Sequence, residues 1–123
     1  MAYLTDRKRV EGLGTAKSGT REFWTMTVTS VALLVLTPFF LAIIGPLLGS
    51  THEEVVASLS RPLAAVVVAA YLVVGLHHFR LGVTTLIEDY IRGLARKICI
   101  IAMTIVSYGL AAAGIVALAQ IAL

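Results

Sequence analysis

His78, Gly82, Thr85 and Asp89 are offset by 0, 4, 7 and 11 positions in a stretch that is otherwise largely apolar. At about 100° per residue, a helix brings these four within about 60° of one another. Tyr71 and Val74 share the same face. One stripe therefore carries an imidazole, a gap without a side chain, a hydroxyl, and a carboxylate about 16 Å along the axis from the imidazole. Imidazole binds iron through a ring nitrogen, and a glycine one turn away leaves room for a flat macrocycle against the backbone. With a single histidine on that face, a six-coordinate haem iron would take its second ligand from another chain. A neutral histidine hydrogen-bonded to a neighbouring helix explains the same residue without a cofactor, and spacing alone leaves both readings open. His77 points about 100° away, beside Thr84 and Glu88, and Arg80 points nearly opposite His78, where it is expected to snorkel to the interface. The Asp89-Tyr90 pair, with Arg92 nearby, sets a phenol next to a carboxylate. Such a pair can donate a hydrogen bond to a quinone carbonyl and help deliver protons. A tyrosine at the end of a membrane span also serves simply as an interfacial anchor.

The elements that position these groups are membrane spans. Of 123 residues, 59% are hydrophobic and 14% charged, against roughly 25% charged in soluble domains. Between Glu22 and Glu53 the only acidic or basic side chain is His52, and from Ile98 to Leu123 there is no Asp, Glu, Lys, Arg or His. These runs exceed the roughly 20 apolar residues that cross about 30 Å of hydrocarbon as a helix. A soluble core able to bury them would need a much larger domain. The reading is an all-α integral membrane protein: a tail over residues 1–22, then a membrane domain over 23–123 with spans at about 23–48, 62–87 and 98–121. That leaves no length for a soluble catalytic domain. Lone Cys99 excludes an internal disulfide and a CxxC metal site. The net charge of +3 reflects basic residues at span ends rather than a nucleic-acid surface.

The tail, with Arg7-Lys8-Arg9, reads as a loosely ordered segment fixed against partners; no apolar run follows its first charges closely enough for a cleaved signal. Phe23 and Trp24 suit the interface, Pro38 is expected to bend the first span, and residues 49–61 read as a loop with the acidic pair Glu53-Glu54. Ser60-Arg61-Pro62 opens the second span, with serine as cap and proline in the first turn. Arg7, Lys8, Arg9, Lys17 and Arg21 precede the first span, and Arg92, Arg96 and Lys97 follow the second, whereas the opposite side has only Arg61. The positive-inside rule then puts the N-terminus in the cytoplasm and the C-terminus on the opposite, periplasmic side. Gly109, Ala113 and Ala117 form a stripe of small residues suited to close helix approach, within this bundle or onto a second membrane subunit.

The run from His78 to Lys97, with His78, Gly82, Asp89 and Tyr90 in their spacing and a basic segment before a last span, resembles the hydrophobic membrane-anchor subunit of succinate dehydrogenase. Gly14-Thr15-Ala16-Lys17-Ser18-Gly19, then Phe23-Trp24 opening the first span, add to the likeness. The resemblance implies a three-helix anchor packed with a second membrane subunit, in respiratory complex II of the bacterial inner membrane, serving the tricarboxylic acid cycle. It implies His78 as one axial ligand of a b-type haem, with Gly82 beside it and a histidine of the sibling cytochrome b membrane subunit opposite. It implies Tyr90 as a hydrogen-bond donor to ubiquinone, Asp89 as support for that site, and the iron-sulfur and flavoprotein subunits as further partners. A fumarate reductase anchor shares this architecture, and a cofactor-free assembly or transport subunit would explain the three spans but not the polar stripe. One position departs from the pattern. Where the family carries an arginine able to neutralise haem propionates, this chain has Thr27, followed by Val28-Thr29-Ser30. Arg21 or a partner's basic residue would then take over, or the haem is held differently.

Overall fold

A computed structural model describes residues 5–12 and 19–122. Residues 14–18 of the tail motif lie outside them. The described chain is all-α: α1 (Asp6–Gly12), α2 (Gly19–Ile44), a short 3-10 turn (Gly45–Leu47), α3 (His52–Leu59), α4 (Pro62–Tyr90) and α5 (Gly93–Ala122). Helices α2, α4 and α5 are each long and apolar enough to cross a bilayer, α2 together with the 3-10 turn that extends it. In hydrocarbon every backbone N–H and C=O must be satisfied within the segment, and an α-helix does this along its whole length. The chain is a multi-pass membrane protein. Its helices overrun the expected spans. Helix α2 starts ahead of Phe23, α4 continues past Ile87 to Tyr90, and α5 starts at Gly93 rather than Ile98. Glu88, Asp89 and Tyr90 thus form the last turn of α4 instead of a loop.

Helix α4 is the middle element. It packs against both α2 and α5, and no comparable contact joins α2 to α5 among the described residues. The α2–α4 seam is antiparallel. Phe40 stacks on Tyr71 with ring centroids 4.1 Å apart and an interplanar angle of 14°. One turn on, Gly75 lets the Leu33 side chain approach, with Leu33 Cδ2 3.9 Å from where a Cβ would stand. Next along the seam come Thr29 and His78. Helix α2 is continuous through Pro38.

On the other side of α4, Ser107, Ala111 and Gly114 bring α5 close. Ser107 is only 1% exposed, and a Cβ at Gly114 would collide with Leu72. The expected stripe lies elsewhere: Gly109, Ala113 and Ala117 are exposed, and open space surrounds Gly109. Periodicity identifies which residues share a face but not which face turns inward, and α5 carries small residues on both.

Residues 49–61 contain more than a loop. Glu54 Oε2 accepts from the Thr51 N–H at 2.9 Å, and the Glu54 N–H donates to Thr51 Oγ1 at 3.4 Å. This reciprocal capping box starts α3. The helix lies against both α4 and α5 and buries Leu59. Arg61, not Ser60, is the N-cap of α4, without a side-chain bond; the Ser60 hydroxyl donates to Ala57 O at 3.0 Å. At the other end, Ile91 and Arg92 alone link α4 to α5, and Gly93 takes φ +69°, a left-handed conformation that glycine adopts without steric cost.

Apart from Ser107, only Leu59, Ala64, Ile87 and Ala111 are buried among the described residues, whereas Phe23, Trp24, Leu34 and many other large apolar side chains are exposed. That distribution suits lipid or other subunits as the surroundings. Gly114→Val should separate α5 from α4 and cost about 1–3 kcal/mol through overpacking. The thermal midpoint of the purified assembly would read the loss, and Leu72→Ala in the same chain should recover part of it.

Candidate functional site

The polar groups of α4 divide between its neighbours. His78 Nδ1 lies 2.8 Å from Thr29 Oγ1 of α2. His77 Nδ1 lies 3.2 Å from the Tyr108 hydroxyl of α5. The two histidines therefore hold different helices, and only His78 borders the face carrying Gly82. A ring turned wholly toward a neighbouring polypeptide, as a ligand shared between chains suggests, is not what the structure has: one edge of His78 is occupied by its own first span. The other ring nitrogen, Nε2, makes no hydrogen bond among the described residues, and it is not among the buried polar atoms left without partners. On the same helix Phe79, Gly82, Leu86, Asp89 and Tyr90 are all exposed. Nothing stands within 4 Å of a Cβ built at Gly82.

Local sequence explains the placement. Met26, Thr29, Leu33 and Phe40 recur at intervals of three, four and seven, the spacing of one helix face, and α4 answers with Tyr71, Gly75, His78 and Leu81. With Phe40 stacked on Tyr71 and Leu33 against Gly75, the antiparallel register brings Thr29 opposite His78. Thr29 Oγ1 also lies 2.9 Å from Thr25 O and 3.0 Å from Met26 O, the usual back-bond of a helical threonine. Thr27, which stands where the family's arginine is expected, donates to Phe23 O at 3.0 Å and brings no charge.

Arg80 does not snorkel clear of the bundle. Its guanidinium carbon lies 5.7 Å from the Tyr108 ring centroid, a cation–π contact with α5. It also lines a cleft of about 380 Å³ between α2 and α4, with Glu22, Phe23 and Met26 on one wall and Thr84 and Glu88 on the other. Arg80 Nε and Thr84 Oγ1 are buried there without hydrogen-bond partners among the described residues. Arg80 is thus the cation that α4 sets between the two helices, a place that helical spacing alone does not assign to it.

Asp89 and Tyr90 end α4 on the outside of the bundle. Tyr90 is 81% exposed, and neither side chain has a polar contact among the described residues. The structure brings His78 and Gly82 onto one open face and sets Asp89 and Tyr90 farther along the same helix, about 18 Å from His78 for the tyrosine. No group of three or more His, Cys, Asp or Glu among the described residues could hold a metal ion unaided. An imidazole with one nitrogen engaged and the other without a hydrogen bond, one turn from a glycine with open space in front of it, fits a macrocycle-bound metal that takes its remaining ligand elsewhere. Thr29 is the residue that sequence reasoning passed over. Its seam position among Met26, Leu33 and Phe40 was the available signal.

Three spans, a nearly coreless interior and polar groups on an outward face define a multi-pass membrane protein whose surface suits lipid or other chains. Residues 1–114 match the family model of succinate dehydrogenase/fumarate reductase transmembrane subunits. Over the whole chain and 95% of the relative's length, the sequence is 42% identical to the succinate dehydrogenase hydrophobic membrane anchor subunit of Paracoccus denitrificans. The chain belongs to this family of membrane anchors. No solved structure gives a significant match.

Tyr108→Phe should remove the tie to His77 and loosen α5 from α4 by about 0.6 kcal/mol, the average for an interhelical hydrogen bond in a membrane. A small fall in the thermal midpoint of the purified assembly would register it.

Proposed function

We propose that the chain anchors succinate:ubiquinone oxidoreductase (complex II) in the bacterial inner membrane, supplies His78 as an axial ligand of haem b, and contributes Tyr90 and Asp89 to the ubiquinone-reduction site. The observation that carries this reading is the state of His78, with Nδ1 held by Thr29, Nε2 without a hydrogen bond among the described residues, and open space at Gly82 one turn on. The relative's name, a succinate dehydrogenase anchor, favours succinate oxidation over fumarate reduction.

In this reading His78 donates an Nε2 lone pair, and Gly82 keeps the helix surface low enough for the ring system to approach. Bound there, haem would supply a one-electron redox centre alongside the route from the iron-sulfur subunit to quinone. His78 would be this chain's one ligand to the iron, and the cytochrome b subunit would supply the other. Reducing ubiquinone to ubiquinol consumes two electrons and two protons. The Tyr90 hydroxyl donates a hydrogen bond to a quinone carbonyl, which favours charge developing on that oxygen. Asp89, exposed beside Tyr90 at the end of α4, supports proton delivery from water to the quinone. The excess of Lys and Arg before α2 and after α4 supports a cytoplasmic side for these ends, where the iron-sulfur and flavoprotein subunits would dock.

His78→Ala should abolish or strongly shift the b-haem absorption of the purified complex, while His77→Ala leaves it in place; an unchanged spectrum in the first variant would remove His78 as ligand. Tyr90→Phe should raise the quinone KM or slow quinone reduction while dye-coupled succinate oxidation stays at the wild-type rate. Equal losses in both assays would move the quinone site elsewhere.

A further inference from the structure

We infer that Thr29 is a positioning residue for the haem ligand: its hydroxyl oxygen accepts the Nδ1–H of His78, fixing the imidazole with its lone pair on Nε2 and raising its electron donation. This deepens the proposed ligand role of His78 and rests on it.

Donor counting carries the assignment. A threonine hydroxyl has one hydrogen and two lone pairs. The Thr29 oxygen has two carbonyl acceptors in reach, Thr25 O at 2.9 Å and Met26 O at 3.0 Å, and neither can donate to it. Its third neighbour is His78 Nδ1 at 2.8 Å. With the hydroxyl hydrogen spent on the helix backbone, the oxygen presents a lone pair to the ring, so Nδ1 carries the proton. Other threonines of these helices direct their hydroxyls the same way. Thr25 donates to Arg21 O, Thr37 to Leu33 O and Thr104 to Ile100 O, at 2.8, 2.6 and 2.7 Å. The opposite arrangement, Thr29 donating to a bare Nδ1, would give up the backbone bond and leave Nε2 protonated and unable to ligate a metal.

An Nδ1–H bond to an oxygen fixes the tautomer and ring orientation and raises the basicity of the ligating nitrogen. A hydroxyl that is itself donating is polarised and accepts more strongly. The bond therefore favours the oxidised iron and lowers the haem potential relative to an unsupported ring. Thr29 also governs ring rotation, because the seam contacts at Gly75 and Tyr71 fix the backbone but not the His78 side-chain torsion.

The test separates hydroxyl from shape. Thr29→Val keeps the branched volume without the oxygen, and Thr29→Ser keeps the oxygen without the methyl. In the purified four-subunit complex, redox titration of the b-haem band should give a higher midpoint potential for Thr29→Val and one close to wild type for Thr29→Ser. The ferric electron paramagnetic resonance signal should change in the first variant only. Thr29→Ala serves if the valine variant does not assemble, and it should shift in the same direction. An unchanged potential in the hydroxyl-free variants, or an equal shift in Thr29→Ser, overturns the inference while leaving His78 as ligand. A haem band insensitive to His78→Ala would instead remove the ligand reading itself, and this inference with it.

Discussion

A neutral imidazole inside a membrane keeps one N–H, and hydrocarbon offers that proton nothing to bind. An unsatisfied polar group there costs several kcal/mol, so the helix carrying His78 requires a neighbour with an oxygen at the right height. Thr29 supplies it at 2.8 Å. The rest of the α2–α4 seam can be understood from that requirement. Phe40 on Tyr71 and Leu33 against Gly75 fix the register, and the back-bonded threonine presents the matching lone pair. Occupying one ring nitrogen inside the chain is also what reserves the other for use outside it. Under the proposed ligand role, a histidine hydrogen-bonded to a neighbouring helix and a histidine that ligates haem would be the same histidine.

The distribution of polar groups around α4 follows a similar logic. His77 and Arg80 turn to Tyr108 and tie α5 to α4, while Gly82, Asp89 and Tyr90 are left with open surroundings. Small residues at Ser107, Ala111 and Gly114 let α5 approach closely enough for those ties to form. The apolar side chains that remain outside, from Phe23 to Val116, match the surface of a subunit that shares its interior with lipid and other chains.

Much of this was legible in the sequence. Runs without charge located the three spans, because length against bilayer thickness leaves few alternatives, and helical spacing put His78, Gly82, Thr85 and Asp89 on one face. Which face turns inward was not legible. On α5 the Gly109-Ala113-Ala117 stripe and the Ser107-Ala111-Gly114 stripe have similar composition, and packing against Leu72 selects the second. Arg80 looked like a snorkelling residue because a helical wheel places it opposite His78 but does not reveal that Tyr108 lies there. The α3 helix was signalled by Thr51 and Glu54 in capping-box spacing, which the neighbouring glycine and serine obscured. Thr29 stayed hidden because its role depends on the register of two helices, a tertiary fact that neither helix states alone.

The central claim concerns a single side chain, and an experimental map of the assembled complex at side-chain resolution tests it most directly. The account predicts density in which His78 meets iron through Nε2 while Nδ1 stays within hydrogen-bond distance of Thr29 Oγ1. A ring rotated away from Thr29, or an iron held by residues other than His78, would contradict it.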